Sequence, residues 1–229
     1  MKYRSIAIDG PSGAGKSTLA RRLAAKLGYL YVDTGAIYRT VGLAVSLRGI
    51  DPGDEGAVAR LLPRLSISMN YGGDGLQHMY LDGADVTETI RRDEISRYAS
   101  QVSPIPAVRN FLLEMQRHLA REHNVIMDGR DIGTVVLPQA DLKIFLTADA
   151  EARAERRYLE LAARGEEVQR EQVLRDVLER DRRDTERAVA PLRRAEDAVL
   201  ADTTRLNLEE SFQMLLELIQ RRLEELEHE

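Results

Sequence analysis

The chain has 229 residues, with 33 Lys+Arg against 38 Asp+Glu and a formal net charge of -5, which suits one domain with room for an insertion. Hydrophobic residues at 43% and charged residues at 31% exclude wholesale disorder and a fibrous repeat. The absence of cysteine excludes disulfides, thiolate metal sites and a cysteine nucleophile, and the apolar runs fall far short of the roughly 20 residues that span a bilayer. Taken in chain order, Arg4-Ser5-Ile6-Ala7-Ile8 is a short β-rich run ended by Asp9-Gly10, a strand-to-turn signal. After a glycine-rich turn, Lys16 to Leu27 reads as a helix, with Leu19, Leu23 and Leu27 on one face and Gly28 as its stop. Tyr29 to Val32 is expected as a second strand and Ala36 to Leu47 as a second helix. Alternation resumes at Ile67 to Tyr71 and His78 to Leu81 across Gly72-Gly73-Asp74-Gly75, the pattern of an antiparallel hairpin. Pro106 opens a helix running to about Glu122, and Asn124 to Met127 and Leu142 to Leu146 are buried-strand candidates. Ala150 to Arg164 and Glu171 to Arg187 are highly charged helices, and Ala198 to Leu200 is a last short strand. The terminal helix carries Leu208, Phe212, Leu215, Leu216, Ile219, Leu223 and Leu226 in one stripe, expected to pack on a sheet rather than lie on a membrane.

Strands alternating with helices imply an α/β fold: a central parallel sheet of about five strands, covered by helices on both faces. The hairpin region, roughly residues 63–90, reads as an insertion on one edge of it. The opening Met1-Lys2-Tyr3-Arg4 leads into an apolar run that soon meets Asp9-Gly10-Pro11, unlike a secretory leader. A soluble, cytoplasmic protein is expected. The mildly acidic total argues against nucleic acid as a partner, although a focused basic cleft for a small anion remains compatible with it.

Gly10-Pro11-Ser12-Gly13-Ala14-Gly15-Lys16-Ser17 fits the phosphate-loop pattern, with a strand before it and a helix after it. Glycines let consecutive backbone N–H groups turn inward around a phosphate, and the following helix aims its positive dipole end at the same spot. Lys16 is expected to reach the β- and γ-phosphates and the Ser17 hydroxyl to ligate Mg²⁺. No Asn-Lys-x-Asp segment of a GTPase is present, and the His-Arg-Asp segment of a protein kinase is missing. A small chain with a phosphate loop and scattered arginines suggests phosphoryl transfer to a small acceptor, with a nucleotide-binding regulator that transfers no phosphate as the alternative from another class.

The basic residues are nearly all arginine, only 4 of the 33 being lysine. Arg39 and Arg130 follow strand ends, where a doubly wound fold binds its ligands. Arg153, Arg156 and Arg157 project from one helix face, and Arg180, Arg183 and Arg187 repeat nearly that spacing with Asp184 beside them. Residues 151–187 hold 10 Arg and 11 Asp+Glu, so an ion-paired solvated surface explains these two sets as well as a site does. Asp33 and Asp128, acidic residues at strand ends, could support Mg²⁺ through water or simply serve as hydrogen-bond acceptors. His78, His118, His123 and His228 show no ligand spacing.

Ile8-Asp9-Gly10 through Ser17, Asp33-Thr34-Gly35-Ala36-Ile37-Tyr38-Arg39, Ala99-Ser100-Gln101-Val102, Asp128-Gly129-Arg130-Asp131-Ile132-Gly133-Thr134-Val135-Val136 and Arg180-Asp181-x-Arg183-Asp184 through Pro191-Leu192 follow one another in order, over nearly the whole of residues 6–192. In this combination the chain closely resembles the bacterial cytidylate kinases, P-loop nucleoside monophosphate kinases. The resemblance implies Mg²⁺-assisted phosphorylation of CMP and dCMP by ATP, in pyrimidine nucleotide metabolism, by a P-loop NTPase fold with a helical lid. It implies a single kinase domain over 1–229: a core (1–34, 105–150, 171–229), a monophosphate-binding part (35–104) and a lid at about 151–170.

Carried over by position, Gly10 to Thr18 and Arg156 would bind ATP. Lys16, Arg39 and Arg130 would hold the acceptor phosphate, with Thr34 standing where the family carries Ser or Thr. Ser100, Arg109, Asp131 and Arg187 would read cytosine, while Arg180 and Asp184 would meet the sugar hydroxyls. Arg153, Arg156 and Arg157 would belong to the lid, with Lys16, Arg130, Arg153 and Arg157 catalytic. A monomer is expected. The chemistry needs no general base, because a nucleoside monophosphate is largely dianionic at neutral pH (second pKa about 6) and its oxygen is already nucleophilic. What remains is phosphate–phosphate repulsion, which Lys16 and arginines can neutralise in a dry site.

Overall fold

The computed structural model describes residues 3–72 and 75–228; Gly73 and Asp74, the middle of the expected hairpin turn, lie outside the described residues. In chain order the elements are β1 (Ser5–Asp9), α1 (Lys16–Leu27), β2 (Leu30–Asp33), α2 (Thr34–Leu47), α3 (Glu55–Leu61), β3 (Ile67–Tyr71), β4 (Gln77–Leu81), β5 (Ala84–Asp85), α4 (Asp93–Val102) and α5 (Pro106–Glu122). They continue as β6 (Val125–Gly129), β7 (Leu142–Thr147), α6 (Ala150–Ala163), α7 (Arg170–Glu186), β8 (Val199–Asp202) and α8 (Leu208–His228). Five strands form a parallel sheet in the order β2-β6-β1-β7-β8, and β3, β4 and β5 form a separate antiparallel sheet. The parallel sheet and the hairpin are as the hydrophobic patterning predicts, while the two-residue β5 adds a third strand to the hairpin. No helix among the described residues is long and apolar enough to cross a membrane.

Contacts divide the chain into two compact units, one comprising Leu30–Val125 with Tyr3, the other Arg4–Tyr29 with Ile126–Glu229. In the second unit β1 pairs with β7 from Ile6↔Leu142 to Asp9↔Phe145, and β7 with β8 from Ile144↔Val199 to Thr147↔Asp202. Each strand leads into a loop or helix at its carboxyl end, so the ends of β1 and β7 carry the phosphate loop and the start of α6. The apolar stripe of α8 buries Phe212, Leu215, Leu216 and Ile219, while Leu208 is nearly half exposed, because it stands in the first turn of the helix.

In the first unit α2 is the central helix, buried along Ile37, Val41 and Val45. It starts two residues earlier than its apolar period suggests. Asp33 acts as N-cap, its Oδ1 accepting from the Ala36 N–H at 2.8 Å, which draws Thr34 and Gly35 into the first turn. Two helices lie where the chain-order reading placed nothing: the short α3 and α4, whose buried Ile95, Ala99 and Val102 follow an i, i+4, i+7 spacing amid charge. The hairpin pairs Ile67↔Leu81 through Tyr71↔Gln77.

Candidate active site

In the second unit the phosphate loop is shaped by close approach. At Gly10 φ is +153°, and a Cβ there would sit 1.9 Å from the Leu146 carbonyl oxygen, so no larger residue fits. Gly15, with φ +87°, delivers the chain into α1 at Lys16. The Lys16 side chain folds back over the loop, its Nζ donating to the Pro11 carbonyl at 2.7 Å, and it is almost wholly buried. Burial, then the neighbouring Arg130 and Arg180 guanidinium groups, push its ammonium well below the usual lysine range, against the pull of Asp128 and Asp184. A group of cations this crowded in a dry place is stabilised by an anion among them.

Next to it in the chain, the Ser17 hydroxyl donates to Asp128 Oδ2 at 2.8 Å. Asp128 is buried at the end of β6. No group of three or more His, Asp or Glu that could hold a metal exists among the described residues. A hydroxyl backed by one carboxylate nevertheless fits Mg²⁺, which prefers oxygen and completes its shell with waters and substrate phosphates. Of the two acidic candidates, Asp128 is the one beside Ser17. Asp33 is engaged as the cap of α2 and, through Oδ2, with Arg39 at 2.9 Å.

Beyond β6 the chain turns at Arg130 and Asp131 into a tight π-helical turn over Ile132–Val136, closed by Val136 N–H to Asp131 O and Leu137 N–H to Ile132 O. Arg130 Nε donates to Asp184 Oδ2 at 2.7 Å, and Arg187 Nη2 lies 3.5 Å from Asp131 Oδ1 with both side chains buried. Burial pushes the Asp184 carboxyl up, but Arg130, with Arg180 and Arg187, more than offsets this and holds it below the usual carboxylate value. The sequence spacing on α7 left these arginines equally readable as a solvated surface. Arg187 is buried against Asp131, whereas Arg183 pairs with Glu179 in the open. Asp9, at the end of β1, is a group the motif reading used only as a turn signal. Its carboxylate accepts from the N–H groups of Ile132 and Gly133 at 2.8 and 2.7 Å, tying the start of the phosphate loop to the turn that carries Arg130 and Asp131.

The three arginines of α6 have different surroundings. Arg153 is buried, donating to Ala148 O at 2.7 Å and to the loop carbonyl of Ser12 at 2.9 Å, and its guanidinium is gripped by the Asp181 carboxylate. Arg156 donates to Thr203 O at 2.6 Å, and Arg157 pairs with Glu160 at 3.0 Å near the surface. Asp181 carried no role in the sequence reading; its position right after Arg180 in the arginine–aspartate run is the signal that was there.

In the first unit the start of α2 gathers Asp33, Thr34 and Arg39. Thr34 is buried, and the Asp33–Arg39 pair lies over Gly35, where a Cβ would stand 3.0 Å from Asp33 Oδ1 and 3.1 Å from Arg39 Nη1. The Arg39 Nε is buried with no hydrogen-bond partner among the described residues, an unfulfilled donor at a helix N-terminus. Arg109 of α5 is buried, donates to Ser103 O at 3.3 Å, and lies over the Tyr38 ring with 5.7 Å to its centroid. Ser100 is half-buried on α4. The predicted residues therefore fall into two sets: Gly10 to Thr18, Arg130, Asp131, Arg153, Arg156, Arg157, Arg180, Asp184 and Arg187 in one unit, and Thr34, Arg39, Ser100 and Arg109 in the other.

A parallel sheet whose first strand opens into a glycine loop over a buried lysine, with a serine–aspartate pair beneath it, defines a P-loop nucleoside triphosphate-binding protein. The fold is shared with a gluconokinase from Sinorhizobium meliloti at a TM-score of 0.52 and 16% identity, covering 99% of this chain and 97% of that one. The family profile described as cytidylate kinase matches residues 6–221. A cytidylate kinase from Caldicellulosiruptor bescii is 53% identical over 95% of this chain and 96% of its own length. One from Carboxydothermus hydrogenoformans is 52% identical over 95% and 97%. The chain belongs to the cytidylate kinase family.

Proposed function

We propose that this enzyme transfers the γ-phosphoryl group of ATP directly to a phosphate oxygen of CMP or dCMP, in line and without a covalent intermediate. The products are ADP and CDP or dCDP. The observation that carries the reading is the buried Lys16 beside Arg130 and Arg180 at the glycine loop, an excess of positive charge suited to phosphates. The name carried by the relatives at 52–53% identity supports CMP as the acceptor.

The phosphates of ATP lie against the backbone of Gly10 to Thr18, with Lys16 neutralising the charge that develops as the phosphoryl group loosens. Ser17, with Asp128 accepting its hydroxyl, would hold Mg²⁺, whose chemical contribution would be further neutralisation of the triphosphate. Arg130 takes acceptor phosphate and is oriented for it by Asp184, and Arg39 does the same from the N-terminus of α2. Asp131 accepts from the exocyclic amine of cytosine, which uracil replaces with a carbonyl, and the buried Arg187 keeps its carboxylate turned for that contact. Arg109 and Ser100 contact the base, and Arg180 and Asp184 the sugar. Residues of about 151–170 form a lid, with Arg153 and Arg157 meeting the transferring group and Arg156 meeting ATP; its closure excludes water as a competing acceptor.

ADP production from Mg-ATP with CMP, dCMP, UMP, AMP, GMP and dTMP tests the reading. Turnover concentrated on CMP and dCMP is expected. Preference for another monophosphate would discard the base contacts, and silence across the panel with ATP still bound would discard the reaction.

A further inference from the structure

We propose that Gln77, at the start of β4 in the hairpin insert, is a positioning residue for Arg39 and acts through Asp33. This role deepens the reading of Arg39 as a holder of the acceptor phosphate and rests on it.

β2 stands first in its sheet, at an edge, so alternate residues turn their backbone N–H and C=O away from the neighbouring strand. Leu30 N–H goes to Asn124 O, and so Tyr31 and Asp33 face the other way. Both are met by hairpin side chains. The Tyr71 hydroxyl donates to Tyr31 O at 2.9 Å, and burial pushes its pKa up, so it stays a donor. Gln77 Oε1 accepts from Asp33 N–H at 2.8 Å, while Gln77 Nε2 donates to Asp33 O at 3.3 Å and to Met79 Sδ at 3.1 Å. Because the Asp33 N–H can only donate, the orientation of the amide is determined. Tyr71 and Gln77 are cross-strand partners, so one rung of the hairpin supplies both contacts.

Gln77 thus takes the place of a missing strand at one residue. That residue is Asp33, whose two carboxylate oxygens hold Ala36 N–H and Arg39. A buried two-point grip on the Asp33 backbone sets the direction in which its side chain leaves, and with it the place of the guanidinium. Gln77 touches no reacting group, and its effect should appear in acceptor binding alone.

The test is a double-mutant cycle of Gln77→Met and Arg39→Met, with Tyr71→Phe as a companion that loosens the same rung without touching Asp33. KM for CMP and for ATP, calorimetric CMP binding and a thermal melt are measured for each. Gln77→Met should weaken CMP binding roughly fivefold to twentyfold, leave KM for ATP within about twofold, and add nothing once Arg39 is methionine. Tyr71→Phe should stay within about twofold for both substrates. If Arg39→Met weakens CMP binding while Gln77→Met does not, the proposal fails and the reading of Arg39 stands. The proposal fails equally if Gln77→Met costs as much with methionine at 39, or if Tyr71→Phe matches it. Unchanged CMP binding in Arg39→Met would overturn the reading and the proposal together.

Discussion

Lys16 and Asp9 are two buried charges at either end of the same glycine loop, and each is held by backbone. The ammonium of Lys16 rests on the Pro11 carbonyl with two guanidinium groups near, so replacing it relieves a crowded set of cations while removing the charge that meets the phosphates. Lys16→Met is expected to leave the thermal midpoint unchanged or raised and to lower kcat by about 10²–10³-fold, read by melting and coupled-assay kinetics on the same preparation. Asp9 behaves in the opposite sense to most carboxylates. Burial pushes its pKa up from 3.8 to about 6, although Gly133 and Ile132 N–H groups pull it down. The native state therefore keeps a proton that the unfolded chain has lost between about pH 4 and 6. Stability due to this group falls as pH rises through that window and stays at its lowest above it. Relative to Asp9→Asn, the native chain should lose roughly 2 kcal/mol between pH 4 and pH 7. Urea unfolding of both at four pH values measures this; a constant difference between the two curves would show that Asp9 has no raised pKa.

At the scale of elements, α2 and α4 meet where Gly42 faces Ala99 and Ile95. A Cβ on residue 42 would stand 2.7 Å from Ala99 N and 3.3 Å from Ile95 O. Gly→Ala inside a helix ordinarily stabilises by up to about 1 kcal/mol, but here the helix backbones leave no room and overpacking costs about 1–3 kcal/mol. Gly42→Ala should therefore destabilise, by about 1–2 kcal/mol net. Chemical denaturation checks the sign, and a gain would mean that α4 yields easily. Between α6 and α7 the packing acts differently. Their seam, Ala154, Leu161, Val173 and Val177, is a small apolar cluster between two highly charged helices. The arginines of one face of α6 consequently divide by depth: Arg153 is buried with Asp181, and Arg157 remains near the surface. Spacing alone places them together; the partners each one meets separate them.

At the scale of the whole molecule, the net charge of -5 coexists with a concentration of cations at the phosphate loop, so the sum says little about the ligand and the position says much. Ligand linkage gives this a measurable form. Mg-ATP at a hundred times its Kd should raise the unfolding free energy by about 2.7 kcal/mol, and Lys16→Met at the same concentration should show a much smaller rise. Equal stabilisation of both would place ATP away from the loop.

Much of the molecule is legible before folding because its signals are local. β1, the glycine loop and α1 follow from an apolar run, glycines and a leucine period within residues 5–28, all interactions between near neighbours. The five-stranded parallel sheet and the hairpin follow likewise from period and spacing. The motif residues, too, announce themselves by type and order along the chain. Fold class, family and the motif residues that mark the family are thus readable along the chain. Which carboxylate serves which cation becomes visible only in the folded chain. Asp128 beside Ser17, Asp184 with Arg130, Asp131 with Arg187 and Asp181 with Arg153 are separated in sequence by 111, 54, 56 and 28 positions. Gln77 on Asp33, 44 positions apart, belongs with them. Such pairings depend on distances of about 3 Å between groups that the chain brings together only by folding, and no periodicity encodes them.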